Sequence, residues 1–434
     1  MPDFMQQPLD RAAAVAPPWI QDYVQAGRTR WEASSMPTRK TEQWKYTSLR
    51  SLQPDYAAAS DGAIILADAG IELPRFQGFR MVFVNGHFSP EHSDSKAPAG
   101  VSMVRFADAD AAQAKKIRDH LGVAVGREQP LFTALNDAAL AEGVFLDIEP
   151  RAYIEQPLHV IWVSGNQGEA FSINQRLLVL CGESSNASVI EHFAGAKGEQ
   201  QSFTNGVTEL LLENDAKLNH YRLHLEEADA LHIGRVHARQ DSRSTLNSFH
   251  IALGSALKRI DLVVDHVGQG AHCEVNGVYL PRGQEHIDYH TCMEHRVPNC
   301  TSSETFRGII ADEATAVFNG RIHIHRDAQK TKAELSNRNL LTSTRAEVNT
   351  KPELEIYADD VQCAHGATVA QLDDMSLHYL RSRGVSRADA QVMLSFGFIN
   401  EVINSVRCEA LRAYLQALLS KRFALDPALS GGVS

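Results

Sequence analysis

Residues 244–270 read STLNSFHIALGSALKRIDLVVDHVGQG. β-branched and aromatic residues crowd two short runs here. Gly254 parts them, and Gly268 and Gly270 close the second, which is the length and punctuation of strands. The same texture extends both ways. Upstream, from about residue 144, stand GVFLDIEP, PLHVIWVSG, RLLVLCG, ASVIEHFAG and VTELLLENDAKLNHYRLHLE. Downstream come HCEVNGVYLPRG, TFRGIIADEATAVFNGRIHIHRDA and LEIYADDVQCAHGAT. So long a series of short strands with no helix between them excludes a doubly wound α/β sheet. Three all-β plans remain: a sandwich, a propeller and a β-helix. No propeller repeat with a fixed signature appears. A single-domain sandwich rarely needs this many strands, and a coiled ladder accommodates the irregular spacing best.

The flanks differ. Residues 1–143 are helical or mixed. RTRWEASSMPTRKTEQWKYTSLRSL mixes Trp31, Trp44 and Tyr46 with charges, and Pro37 punctuates it. FRMVFVNGHFSP reads as a strand ending in an Asn85–Gly86 turn, and LFTALNDAALAEG as a helix closed by Gly143. After Thr368 the chain turns helical. Asp373 can cap DMSLHYLRSR, Gly384 suits a left-handed helix stop, and SRAD at 386–389 makes a capping box. The helix it opens carries Val392, Met393, Phe396, Ile399, Val402, Ile403 and Val406 at helical spacing. This stripe forms a small helical core, and whatever part stays exposed is a groove for a partner. Three units follow: 1–143, a β core over 144–368, and a helical unit over 369–434.

The 434 residues are 44% hydrophobic and 22% charged, as in ordinary globular proteins, with a net charge of −11. No basic excess exists to neutralise phosphates, so nucleic acid is not expected as a partner. No run approaches the apolar length of a membrane span. MPDFMQQPLDRAAAVAPPW lacks the basic end and apolar block of a secretory signal. Six cysteines without a CxxC pair make no disulfide framework, so a reducing cytoplasm is expected.

Three groups of residues invite a chemical reading. His272, Cys273, His286, His290, Cys292, His295 and Cys300 crowd one block, and HIDYH has the HxxxH spacing. A zincin, however, needs Glu after the first His on a helix, and this segment reads as strand. Satisfied histidines at strand ends are the expectation. In RIHIHRD, Arg321, His323 and His325 share one strand face and Ile322 and Ile324 the other, the pattern of a half-buried strand. In DDVQCAHGATVAQLDD, residues 359–374, Cys363 and His365 also share a face. They could be a thiolate–imidazole pair, two soft ligands awaiting others from a partner chain, or a packed corner. No GxSxG, P-loop or GxGxxG occurs.

FNGRIHI, AQKTKAELSNRNLL, PELEIYADDVQCAHGATVAQLDD and YLRSRG stand in order within residues 304–384. This series resembles the core of the SufB/SufD family, and the likeness runs from about residue 145 to about 420. RKTEQWKYTSL is similar to the N-terminal motif of the family's SufD branch, and the N-terminal cysteine cluster frequent in the SufB branch is absent. The resemblance implies a mainly β fold, a right-handed parallel β-helix flanked by N-terminal and C-terminal helical domains.

It also implies a non-catalytic scaffold of a cytoplasmic SufBCD complex that assembles iron–sulfur clusters. The β-helix would pair with a SufB-like paralogue, and the C-terminal helices would dock a SufC-like ABC ATPase that brings ATP. Homodimers are also implied. Cys363 and His365 match the family's C-x-H at the SufB–SufD interface, where His365 would be a transient ligand of a nascent cluster completed by the partner. Asp359 and Asp360 could orient its imidazole. Leu377, Tyr379, Leu380 and Phe396 are candidates for the ATPase-facing surface. No cofactor is expected to stay tightly bound to the isolated chain, and reduced flavin is an option in the complex. The competing readings are a Cys/His-dependent enzyme, with Cys363 as nucleophile and His365 as base, and a zinc-binding structural β-protein.

Overall fold

The computed structural model describes residues 4–52, 55–60, 71, 73–126, 130–196, 201–226 and 229–424. From Val144–Ile148 to Gln362–Gln371, strand follows strand with no helix among the described residues between them. Successive strands alternate between two sheets, so each pairs with the next but one. All these pairings are parallel: Ile260 lies beside Tyr289, and Tyr289 beside Phe318. Parallel neighbours need a long return path. Here the opposite sheet supplies it, at about 30 residues per coil, as Lys258–Ile287 and Lys332–Gln362 show. The fold is a parallel β-solenoid with flanking helices, the coiled ladder among the three all-β plans.

The corners repeat as regularly as the strands. Arg151, Ser184, Asp215, Arg243, Gly270, Asn299 and Lys330 each take a left-handed backbone, with φ from +55° to +73°. The amide of Ser184 donates to the carbonyl of Asn214, Asp215 to Ser242 and Arg243 to Gln269, each at 2.9 Å. These bonds tie each corner to the next coil and satisfy backbone groups that a turn would otherwise leave unpaired. Inside, equivalent positions stack into apolar ladders. Ala238, Val264, Met293 and Ile322 form one such column, and Ile260, Tyr289 and Phe318 another.

The N-terminal region is built into the sheets. Strand Phe79–Val84 extends the second sheet beside Leu158–Ser164 and turns through Asn85 and Gly86, as expected, into His87–Phe88. Strand Val101–Arg105 runs antiparallel to Val144–Ile148 and closes the first sheet. The helix expected up to Gly143 ends earlier, spanning Leu131–Ala138. Gly143 instead lets the chain pass Phe106, whose ring would stand 2.8 Å from an added Cβ. The helix is anchored by the fully buried Arg176, which donates to Asn136 (3.0 Å), Asp137 (2.8 Å) and Glu209 (2.7 Å).

At the other end, the last strand continues to Gln371 before helices Asp374–Ser382, Arg387–Ile403 and Glu409–Ala424. The Asp373 carboxylate accepts from the Ser376 amide (2.8 Å) and the Ser386 hydroxyl from the Asp389 amide (3.1 Å), while Gly384 has φ +88°. Ile399, Val402, Ile403, Leu411 and Leu415 bury the outer face of the second sheet against Tyr221, Leu223, Ile251 and Ile309. Each such side chain contributes about 1.5–3 kcal/mol, enough to fix the helices to the coil.

Candidate functional site at the open end of the coil

Cys363 and His365 belong to Gln362–Gln371, the last strand of the second sheet. Register sets Cys363 beside Ala333 and His365 beside Leu335, both core residues of the preceding coil, so the two share the core-facing side as their spacing implies. Cys363 is half-buried against that core, and His365 is exposed. Burial pushes the Cys363 thiol up, with the Ala333 backbone offsetting part of the effect. A nucleophilic cysteine needs the opposite shift. Asp360 pairs with Lys330 rather than with the imidazole, and Asp359 is exposed.

The two ends of the coil are unlike. Among the described residues, no strand pairs with the outer edge of Glu347–Ile356 or of Gln362–Gln371. Ile356 is 41%, Tyr357 61% and Val369 49% exposed along this rim. A row of unpaired amides and carbonyls bordered by apolar side chains is a template for another chain. The first end, by contrast, finishes in antiparallel strands.

The His/Cys block of residues 272–300 disperses. Cys273 and His295 point into the coil, while His286 and His290 face outward, meeting Thr47 (3.1 Å) and Asp288 (3.0 Å). His286 and His290 are satisfied histidines, as expected. Arg321, His323 and His325 do share an outward face, with Ile322 and Ile324 fully buried behind them. Their common partner Glu294 escapes sequence spacing, because it sits one coil earlier and register alone brings it alongside.

The coil interior also carries charge that the strand pattern hides. Arg222 donates to Glu191 (2.9 Å) and Thr208 (2.6 Å), and His220 lies 2.8 Å from the same carboxylate. All four are buried, and Glu226 pairs likewise with His232 at 2.7 Å. Glu304 is the odd one. Burial pushes its carboxyl up to about 8, with only the Thr291 hydroxyl to relieve it.

On the C-terminal helices, Leu377 is buried, Leu380 is half-buried, and half-buried Phe396 meets Phe423 edge-on at 6.4 Å. Tyr379, with Arg383 over its ring, is exposed, as are Met375 and Met393. The exposed apolar surface is therefore Met375, Tyr379 and Met393.

The family model described as "SUF system FeS cluster assembly, SufBD core domain" matches residues 163–398, more than half the chain. The chain belongs to the SufB/SufD family. A second model, the SufBD protein N-terminal region, matches residues 3–160 of this family member. It is 30% identical over 391 residues to the iron–sulfur cluster assembly protein SufD of Escherichia coli, covering 90% of each chain. It is 28% identical over 397 residues to an iron–sulfur cluster assembly SufBD family protein of Synechocystis, covering 89% of this chain and 87% of the relative. The chloroplastic protein ABCI7 of Arabidopsis thaliana is 28% identical over 377 residues, covering 85% of this chain and 78% of the relative. The chain is thus a SufD-like iron–sulfur cluster assembly protein. No described helix is long and apolar enough to cross a membrane.

Proposed function

We propose that this chain is a non-catalytic scaffold whose open coil end forms half of an assembly site, the other half lying on a SufB-like paralogue in a cytoplasmic complex. The observation that carries this reading is the unpaired rim of Glu347–Ile356 and Gln362–Gln371, with exposed His365 in it. A nascent iron–sulfur cluster is the cargo. His365 offers one nitrogen ligand or a proton, and thiolates from the partner complete the set, since cluster ligation ordinarily takes four cysteines. The raised Cys363 thiol speaks against the alternative of a self-contained Cys/His enzyme. Met375, Tyr379 and Met393, with Leu380 at their margin, are the surface offered to a SufC-like ABC ATPase, which supplies ATP hydrolysis. Leu377 is buried and half-buried Phe396 packs against Phe423, so neither is fully exposed to a partner. Reduced flavin would act only in the assembled complex. The same rim would also let two copies of this chain pair.

Affinity purification of the tagged chain, co-expressed with the paralogue and the ATPase, is expected to recover both. In that complex His365→Ala should leave composition and thermal stability unchanged while cluster formation, followed by visible absorption and labile sulfide, falls sharply. Recovery of neither protein would reject the scaffold reading. An unfolded His365→Ala chain would make the residue a packing element instead.

A further inference from the structure

The first sheet carries a separate ligand set on its outer face. Strand His286–His295 lies beside Thr315–Ile324, with Glu294 in register with His323. His323 Nδ1 stands 2.9 Å and His325 Nε2 2.7 Å from the same carboxylate oxygen, Glu294 Oε2. The imidazoles stack with centroids 4.1 Å apart, and one ligand atom from each of the three residues lies within 4.8 Å of the others. Glu294 Oε1 is held separately, accepting from Arg321 Nη2 at 3.1 Å and from the Cys292 thiol at 3.4 Å. The side chains of Glu294, His323 and His325 are 9%, 19% and 31% exposed, so the cluster is walled on one side and open on the other.

We propose that Glu294, His323 and His325 form a binding site for a first-row divalent cation of the ferrous-iron or zinc class. Two imidazoles and one carboxylate are the donors such ions take, whereas calcium and magnesium favour oxygen throughout. The nitrogens already converge on one oxygen. A cation placed between them takes a lone pair from each neutral ring in place of the hydrogen bond each now makes. Three protein ligands leave coordination positions free on the open side, as in sites that exchange ligands. Arg321 fixes the carboxylate through its other oxygen, the way outer partners orient metal ligands. Local charge does not forbid the ion. Arg296 pairs with Asp265 at 2.8 Å and stands 3.8 Å from Glu294 Oε2, and Arg321 is shared with Glu355 at 3.4 Å, so the carboxylates of Glu294, Asp265 and Glu355 face two guanidinium groups. The site lies on the other sheet from Cys363 and His365, and it does not rest on the scaffold reading.

Co2+ titration of the purified full chain, read by visible d–d absorption and equilibrium dialysis, tests the site directly. One saturable Co2+ per chain is expected, displaced by Zn2+ and, anaerobically, by Fe2+ in large excess. His323→Gln, His325→Gln and Glu294→Gln should each weaken binding by about tenfold or more, while His378→Gln, at an exposed histidine of helix Asp374–Ser382, binds as the parent does. Circular dichroism and urea midpoints verify that each variant is folded. Should Glu294→Gln fail to fold, the two histidine variants decide. Absence of saturable binding, binding indifferent to both histidine changes, or equal loss in His378→Gln would each overturn the proposal.

Discussion

Glu304→Gln should make the chain more stable, and by an amount that depends on pH. Glu304 lies on the inward side of strand Thr301–Ile310, beside Val275 and Leu335 in register. Burial pushes its carboxyl up to about 8 from an ordinary 4.5. Between those values the folded chain keeps a proton that the unfolded chain has released. Stability contributed by this group therefore falls as pH rises through the window. Integrated over the shift, the cost is about 1 kcal/mol at pH 5 and roughly 4 kcal/mol at pH 7.5. Glutamine is nearly isosteric and does not titrate. Its advantage over the parent should grow by roughly 3 kcal/mol between those two pH values. Urea unfolding of both chains at each pH, followed by tryptophan fluorescence with slopes compared, measures this. Other titrating groups are common to both chains and cancel. An advantage that stays constant to within about 1 kcal/mol would show that Glu304 is not held neutral inside the coil.

Two further outcomes follow from the same interior and rim. Arg222→Met removes a donor from buried Glu191 and should cost about 3–5 kcal/mol in urea unfolding, part of it recovered on adding Glu191→Gln. A cost under about 1 kcal/mol would mean the carboxylate finds other partners. Cys363 should react with iodoacetamide at neutral pH more slowly than free glutathione, because its thiol is raised and half-buried. Reaction faster than glutathione would restore the nucleophile reading.

Much of the fold is legible from the chain. Glycine-closed β runs without helices exclude an α/β sheet, and Ile322 and Ile324 betray which side of their strand faces inward. The coil period is harder to read, since its left-handed corners are residues such as Ser184, Arg243 and Lys330, and glycine only at Gly270 in that series. These residues sit in a left-handed backbone because the next coil binds their amides, not because of their own preference. The interior charges are hidden for a related reason. In Lys217–His224, Tyr221 and Leu223 pack under the C-terminal helices while Leu218, Arg222 and His224 point inward. With both faces buried, alternation cannot say which one is the inside. Cys363 and His365 are adjacent enough for spacing to place them on one face. Glu294 meets His323 and His325 only through register, which no local pattern carries.

The unlike ends of the coil bear on how copies of this chain would stack. A solenoid bare at both ends could stack on its own kind without stopping, as open head-to-tail contacts do. Here Val101–Arg105 and His87–Phe88 stand at one terminus of the ladder and run against the coil, so the two termini present edges of opposite strand direction. A copy stacked head to tail would meet a strand running against its own, so such a junction breaks the parallel ladder that the coil otherwise keeps.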